Sequence, residues 1–299
     1  MKPKPIYVEL PIKATMDELW ESTQTPVFHE QWDLRFSSIH YLPKYKDEPR
    51  RFTYKTNIGF GCGIEGWGES NGSHNGKDGS KTSSLHFGTD QKISIIREGR
   101  GYWKYEPQNY DTITFLTQYN YQVNFGAIGQ LIDKIIFRPV IGWATALSFD
   151  VLKRWIEKGE KPSSQYIRFF ITWMISTLFF IVWFTHGLIP KIIYKHPAEL
   201  AMTAKLVGES SAETIIFAIG ISEIIFSFFW LLPIKKRWLF GLQLLAFPVL
   251  TVGAIIADPV ILTHPFSPLT FNLSLFVLSI IGLLISRDTP TASSCKRKR

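Results

Sequence analysis

The sequence predicts a chain of two parts: an α+β domain, in which an antiparallel sheet surrounds a long C-terminal helix, and an all-α bundle of four transmembrane helices. The chain has 299 residues, which is enough for two domains. Apolar residues in the first half recur with a period of two and then at helical spacing. The second half contains four apolar runs long enough to cross a bilayer.

The net charge of +8 is distributed unevenly between the two halves. Residues 1–166 carry 21 Lys/Arg and 19 Asp/Glu, whereas residues 167–299 carry 12 and 6, so the second half supplies +6 of the +8. Those basic residues flank the apolar runs, as is usual for membrane proteins. Membrane topology therefore explains the excess, and we do not expect nucleic acid as a partner.

The first half begins with a predicted strand over 6–13 and a helix whose start is marked by a capping box, Thr15 to Glu18. Four further strands are predicted, over 51–58, 83–87, 101–106 and 112–123. The glycine-rich stretch 71–80 is predicted to be a loop. In the last strand, one face carries Ile113, Phe115, Tyr119, Tyr121 and Val123.

After Gly126 the apolar spacing becomes helical. The predicted helix bends near Pro139. A sheet that wraps this helix either encloses an apolar cavity or closes on a solid core, and the pattern leaves both open. The apolar stripe consists of Ile128, Leu131, Ile132, Ile135, Ile136, Val140, Trp143, Leu147, Val151 and Trp155.

The predicted transmembrane spans cover 169–189, 214–234, 238–257 and 268–286. Pro248 is expected to kink the third span, because proline removes a backbone hydrogen bond. We expect the soluble domain to cover residues 1–162 and the membrane domain to cover residues 163–299.

Basic residues predict the orientation of these spans. Residues 153–168, 235–237 and 287–299 contain 13 Lys/Arg on one side, while the other side has only Lys191, Lys195 and Lys205. The positive-inside rule then predicts a multi-pass protein of a bacterial cell membrane with both termini in the cytoplasm.

Two ionisable residues are predicted to lie within the spans, Glu223 in the second and His186 near the outer end of the first. Such residues usually face a cavity or a polar partner. His196 and His264 lie in the outer loops, and with nearby carboxylates they suggest either a metal or proton-relay site or simple helix capping. Their spacing favours capping, and we expect no metal site.

In the soluble half, four side chains are candidates for lining a cavity and donating hydrogen bonds to a ligand: Trp67, His86, Tyr105 and Tyr119. The alternative is that they are ordinary core residues. The two cysteines, Cys62 and Cys295, are far apart and form no CxxC motif, so nothing in their spacing indicates a redox pair or structural zinc. The sequence names no catalytic residue and no cofactor.

Residues 5–159 resemble the START-like SRPBCC superfamily. The resemblance lies in three sequence segments: His29–Phe36, Gly101–Tyr105 and Phe137–Ala144. It implies a helix-grip fold, in which a sheet wraps a C-terminal helix around a hydrophobic ligand cavity.

Residues 169–286 resemble the DoxX-like membrane family. The carrying phrases are His186–Lys191, His196–Leu200 and Ile219–Ile224. The founding DoxX proteins are linked to quinone reduction, so this resemblance implies a lipid-soluble redox partner.

Three functions are consistent with this sequence. The first is a membrane-tethered protein that binds or senses a lipid, an isoprenoid or a quinone. The second is a subunit of a quinone-linked membrane oxidoreductase, with a partner subunit. In the third, the bundle is only an anchor and the cavity carries cyclase or hydrolase chemistry. We favour the first function, because it requires the fewest components that the sequence does not contain.

Overall fold

A computed structural model of the protein describes residues 3–44, 48–59, 62–263 and 267–298. The chain forms two compact units. The first contains Met1–Gln165 together with Pro290–Arg299, and the second contains Tyr166–Thr289. Residues 290–299, which the sequence assigned to the membrane domain, therefore fold with the first unit.

The first unit contains an antiparallel sheet with the strand order β1-β7-β6-β5-β4-β3-β2. Strand β4 extends into the stretch predicted as a loop, with an irregular register between Ser70 and Ser73. The strands are β1 (Ile6–Lys13), β2 (Ser38–Tyr41), β3 (Arg50–Gly59), β4 (Cys62–Asn75), β5 (Lys81–Gly88), β6 (Ile96–Asn109) and β7 (Thr112–Val123).

Helices α1 (Met16–Gln24) and α2 (Pro26–Trp32) follow β1, and α3 (Gly126–Ile132) follows β7. The Thr15 hydroxyl caps α1 by accepting from the Glu18 backbone N–H, as the capping box predicted. A π-helical turn, Asp133–Phe137, joins α3 to α4 (Arg138–Lys158). The π-helical turn ends two residues before Pro139, near which the sequence predicted a bend; proline has no backbone N–H to donate to the preceding turn.

One face of the sheet packs against α4, and we call this face of the sheet the concave face. Phe115 of β7 stacks on Phe149 of α4 with ring centroids 4.5 Å apart. The Tyr119 hydroxyl lies 2.9 Å from the Thr145 hydroxyl of α4. The side chains of α4 between Thr145 and Leu152 are buried. The predicted α+β helix-grip fold is confirmed.

The apolar stripe on the long helix does not form one continuous buried face. Leu147 and Val151 are buried in the grip, as predicted, but the residues of the stripe from Ile128 to Val140 are exposed. Helical spacing cannot reveal where along a helix the contact with the sheet ends.

In the described part of the second unit, α-helices cover the four predicted spans and one further stretch. Its helices are α5 (Pro162–His186), α6 (Pro197–Val207), α7 (Glu209–Phe229), α8 (Arg237–Ala257) and α9 (Pro268–Ile285). A π-helical segment, Gly187–Ile193, extends α5. Helix α8 is unbroken through Pro248, where a kink was expected. The short helix α6 occupies a stretch that was predicted to be a loop.

In the described part of the chain, five helical segments are long and apolar enough to span a membrane. The additional one covers Gly126–Lys158 and thus includes α4. Since α4 is buried against the sheet of the first unit, we assign the spans to α5, α7, α8 and α9. The aromatic centre of this bundle contains Phe179, Trp230 and Phe240, all fully buried.

Candidate functional site

Aromatic rings line the concave face by lying over glycines of the adjacent strand. The pairs are Phe52 over Gly68, Tyr54 over Gly66 and Phe87 over Gly99. A Cβ at Gly101 would lie 2.4 Å from the Cβ of Tyr119, so no other residue fits there without a shift. The glycines therefore let large rings lie flat against the sheet, which leaves an aromatic surface facing α4.

A buried ion pair lies at this surface. Asp33, which is 1% exposed, follows α2 and receives two hydrogen bonds from Arg35. The Arg35 Nε donates to Oδ1 at 2.9 Å and its Nη2 donates to Oδ2 at 2.6 Å. The Nε2 of His29, one helical turn before Asp33, lies 3.0 Å from Oδ2. This bidentate geometry is the strongest that an arginine and a carboxylate can form.

The pair holds both groups in their charged forms. Burial by itself would raise the pKa of Asp33, but the Arg35 guanidinium and His29 outweigh it and hold that pKa well below its usual range. Burial likewise would lower the pKa of Arg35, yet the Asp33 carboxylate raises it above its ordinary value. A buried charge is tolerated because it is paired and hydrogen-bonded.

Arg35 also connects the ion pair to the aromatic surface. Its guanidinium carbon lies 5.5 Å from the ring centroids of both Phe36 and Tyr119. Burial raises the pKa of Tyr119, so its hydroxyl stays protonated at neutral pH. A polar centre with hydrogen-bond donors is thus surrounded by half-buried rings, which include Tyr54, Phe87 and Trp103. Such a surface suits a ligand with an apolar body and one polar group.

Two of the four predicted ligand residues lie on the concave face. Tyr119 belongs to the polar centre just described. Tyr105 is fully buried, and its hydroxyl is 2.6 Å from the Thr23 hydroxyl and accepts from Gln24 Nε2 at 2.9 Å. The hydroxyls of both tyrosines are thus hydrogen-bonded within the protein, that of Tyr105 to Thr23 and Gln24 and that of Tyr119 to Thr145.

The other two, Trp67 and His86, lie on the opposite face of the sheet. Their rings meet edge to face at 5.0 Å. The Nε2 of His86 is 2.8 Å from a carboxylate oxygen of Glu98. The four predicted residues therefore do not line one cavity.

Beside this outer cluster is an open cleft of about 370 Å³. Most of its side chains are polar or charged, so it does not resemble an apolar ligand cavity. The cleft is lined by Trp67, Thr89, Asp90, Gln91, Lys92, Arg97, Glu98 and Asn124.

Within the described residues, no group of three or more His, Cys, Asp or Glu side chains is arranged to hold a metal ion.

In the second unit, Glu223 forms an ion pair with Lys191. The Lys191 Nζ lies 3.0 Å from Glu223 and 3.4 Å from Glu199. The π-helical segment that carries Lys191 contacts α7 closely, since a Cβ at Gly187 would lie 2.6 Å from the carbonyl oxygen of Gly220. Two glycines thus allow the backbones to meet and bring the lysine to the carboxylate.

Two of the predicted histidines of the second unit, His186 and His196, lie in the part of the chain that the structure describes. The ring of His186 stacks on Phe271 with centroids 5.5 Å apart. His196 caps α6, because its Nδ1 accepts from the Ala198 N–H at 3.3 Å. His264 lies outside the described residues. Lys191, the partner of Glu223, donates to the backbone carbonyl of His186 at 3.2 Å.

Sequence reasoning missed the ion pair on the concave face. His29, Asp33 and Arg35 all lie in the phrase that carried the resemblance, but none was singled out as a site residue. A signal was present, because Asp33 and Arg35 are ionisable residues that alternate with Trp32, Leu34 and Phe36. Charges placed among large apolar residues often mark a buried pair.

Comparisons with known proteins show which family this chain belongs to. Residues 180–280 match the DoxX-like family. The whole chain is 38% identical over 302 residues to the membrane protein YndG of Bacillus subtilis, with 100% of this chain and 99% of that one covered. The chain belongs to the same membrane-protein family as YndG. The first unit has a helix-grip fold, and the segment that matches the DoxX-like family lies in the second unit.

Solved structures similar to the first unit include a lipid transfer protein and an aromatase/cyclase. Human StAR-related lipid transfer protein 5 is 10% identical, with 51% of this chain and 74% of that chain covered and a TM-score of 0.39. The Zhui aromatase/cyclase from Streptomyces sp. R1128 is 6% identical, with 53% and 98% covered and a TM-score of 0.38. Because these TM-scores are below 0.5, the helix-grip fold rests on the strand order and on the packing of α4.

Proposed function

We propose that this protein is a membrane-anchored binding protein whose START-like domain holds a hydrophobic small molecule on the concave face of its sheet. The ligand class is a lipid, an isoprenoid or a quinone. The observation that carries the proposal is the Arg35–Tyr119 polar centre within a wall of half-buried aromatic rings. The apolar body would contact the rings, and the polar group would accept hydrogen bonds beside Arg35.

We also propose that the first unit lies in the cytoplasm. The excess of Lys/Arg beside the spans supports this side. The return of residues 290–298 to the first unit supports an even number of crossings, because both ends of the second unit are then joined to the same domain. Four spans satisfy this condition, whereas five do not.

The test is native mass spectrometry of the full chain purified in detergent, followed by extraction and identification of bound organic molecules. Leu85 lies on the concave face, and its neighbour Ser84 on the same strand lies on the opposite face. Leu85→Trp would fill the space beside Gly101 and is expected to abolish ligand retention. Ser84→Trp adds the same ring on the other face and is the matched control.

The proposal predicts a stoichiometric hydrophobic molecule in the wild-type and Ser84→Trp chains and its loss from Leu85→Trp. It is contradicted if no molecule is retained by well-folded wild-type protein, even after addition of candidate lipids and quinones. Equal retention by both variants would also contradict it, since the ligand would then be held elsewhere.

The same preparation tests the alternative of a quinone-linked membrane oxidoreductase. That function requires electron transfer to a soluble quinone analogue, by the single chain or together with a partner subunit. The described residues offer no cysteine pair or metal cluster that favours it. Product formation from an extracted ligand would instead favour chemistry in the START-like domain.

A further inference from the structure

A helical segment of the first unit presents an apolar surface that the fold leaves uncovered. We call residues 126–140 the exposed segment; it includes α3, the π-helical turn and the start of α4. Six of its large apolar side chains are between 40% and 71% exposed: Ile128, Leu131, Ile132, Ile135, Ile136 and Val140. Solvent-exposed apolar patches of this kind usually mark an interaction surface.

A narrow strip holds the exposed segment to the sheet. Gly129 is one contact, since a Cβ there would lie 1.8 Å from the Asn124 carbonyl oxygen. Asp133 is another; it accepts from the Tyr121 hydroxyl at 2.6 Å and from Arg138 Nε at 2.9 Å. Gly129 and Asp133 are four residues apart and therefore face the same way. Phe137, four residues further on, faces the same way, and its ring meets that of Tyr121 edge to face at 6.1 Å. The large apolar side chains on the other faces of the helix are exposed.

The charges of the exposed segment favour an anionic, apolar partner. Its acidic residue, Asp133, is buried and paired with Arg138. The exposed charged side chain in the segment is Lys134. Lys4, another exposed basic residue, lies beside the segment, because its carbonyl accepts from Arg138 Nη1 at 2.9 Å. Apolar helices with a basic border are typical of segments that lie in a membrane interface.

The connectivity of the chain keeps a bilayer within reach of this surface. The first unit joins the membrane-spanning unit twice, between residues 165 and 166 and between residues 289 and 290. A surface tethered in this way meets lipid at a high effective concentration, so even a weak affinity is sufficient for docking. A soluble partner has no such advantage.

We propose that the exposed segment lies in the headgroup layer of the bilayer that the second unit spans, with its isoleucine and leucine side chains in contact with acyl chains and Lys134 close to anionic headgroups. This docking does not rest on the proposed ligand. It requires only the apolar surface, its charge and the tether.

The experiment uses the full chain with Cys62→Ser and Cys295→Ala, reconstituted into vesicles of phosphatidylcholine and phosphatidylglycerol. A single cysteine replaces Ile128 or Ile135 and is labelled with an environment-sensitive nitrobenzoxadiazole dye. Ile93, on a loop of the same unit, is the matched control, because Ile93 and Ile128 are both 71% exposed. Quenching by lipids brominated on their acyl chains reports contact with the hydrocarbon.

We expect blue-shifted emission and quenching by brominated lipid at positions 128 and 135, and water-like emission without quenching at position 93. Phosphatidylcholine alone is expected to give weaker quenching, since the attraction to Lys134 is lost. Water-like emission at all three positions would overturn the proposal. A blue shift without lipid quenching, rising with protein density, would overturn it in favour of a second copy of the chain.

Discussion

At the scale of single residues, the first unit contains a buried ion pair, although apolar side chains could occupy the same positions. Asp33 and Arg35 are only two residues apart, yet their placement on the concave face depends on Tyr119 and on the end of α2. A buried pair stabilises a fold little in itself, but the loss of one partner leaves an uncompensated charge. We therefore expect single substitutions to be more damaging than the double substitution.

Asp33→Asn and Arg35→Met are each expected to destabilise the first unit by about 3–5 kcal/mol, and the double variant by clearly less than their sum. The full chain carrying Cys62→Ser is unfolded with denaturant. Unfolding of the first unit is measured as the reaction of Cys295 with a dipyridyl disulfide. Cys295 is buried in the first unit, and burial raises the pKa of its thiol to about 12, so it reacts slowly until that unit opens.

The same assay gives a pH dependence with a defined sign. The pKa of Asp33 in the folded protein lies below its ordinary value of 3.8. Its stabilisation is therefore complete above about pH 4 and is lost as the pH falls through that value toward the folded pKa. Asp33→Asn should flatten this acid dependence. The role of the pair would be contradicted if the effects of the two substitutions on the free energy of unfolding were strictly additive and Asp33→Asn left the acid dependence of stability unchanged.

At the scale of elements, glycines in the sheet determine whether the aromatic wall can form. Gly101 of β6 pairs with Tyr119 of β7, and a Cβ added at Gly101 would lie 2.4 Å from the Tyr119 Cβ and 2.9 Å from the Gln118 carbonyl oxygen. Gly142 in α4 offers a contrast, because the atom nearest to its added Cβ is a methyl carbon of Ile6 at 3.7 Å.

Gly101→Ala is expected to destabilise the first unit by about 1–3 kcal/mol, because a backbone carbonyl cannot move away as a flexible side chain can. Gly142→Ala is the matched control; it should be neutral or stabilise by up to about 1 kcal/mol, since alanine favours a helix. Cys295 labelling during unfolding measures both. Equal effects would show that the close approach at Gly101 is unimportant.

At the scale of the whole molecule, residues 290–298 decide how the chain is organised. Lys296 forms two backbone hydrogen bonds with Glu9 of the edge strand β1, at 2.9 and 3.0 Å. The backbone N–H of Thr291 donates to Asp150 of α4 at 2.9 Å, and Cys295 donates to the Ala146 carbonyl at 3.3 Å. The tail thus covers an otherwise open sheet edge, which also protects it from pairing with other chains.

We expect Cys62 and an introduced Ser293→Cys to lie on the same side of the membrane, and Ala201→Cys in α6 to lie on the other. Cys62 is exposed in the first unit, Ser293 is in the tail, and α6 connects the first and second spans. Labelling with a membrane-impermeant maleimide in right-side-out and inside-out vesicles measures this. Opposite sidedness of Cys62 and Ser293→Cys would contradict an even number of crossings.

The sequence by itself determined the elements whose cause is local. A bilayer core requires about 20 consecutive apolar residues, so the four spans could be read from composition alone. The alternation along β7 likewise predicted its buried face, because successive side chains in a strand point to opposite sides. The resemblance of 5–159 and 169–286 to two families added the order of the domains.

Only the tertiary structure decided which distant residues meet. Periodicity says that a side chain faces inward, but it does not say which surface it meets, so Trp67 and Tyr119 could not be assigned to opposite faces of the sheet. The contact of Lys191 with Glu223 depends on a close approach between two glycines, and the tail returns to β1 from across the whole sequence. These contacts are set by packing between elements, which no local pattern encodes.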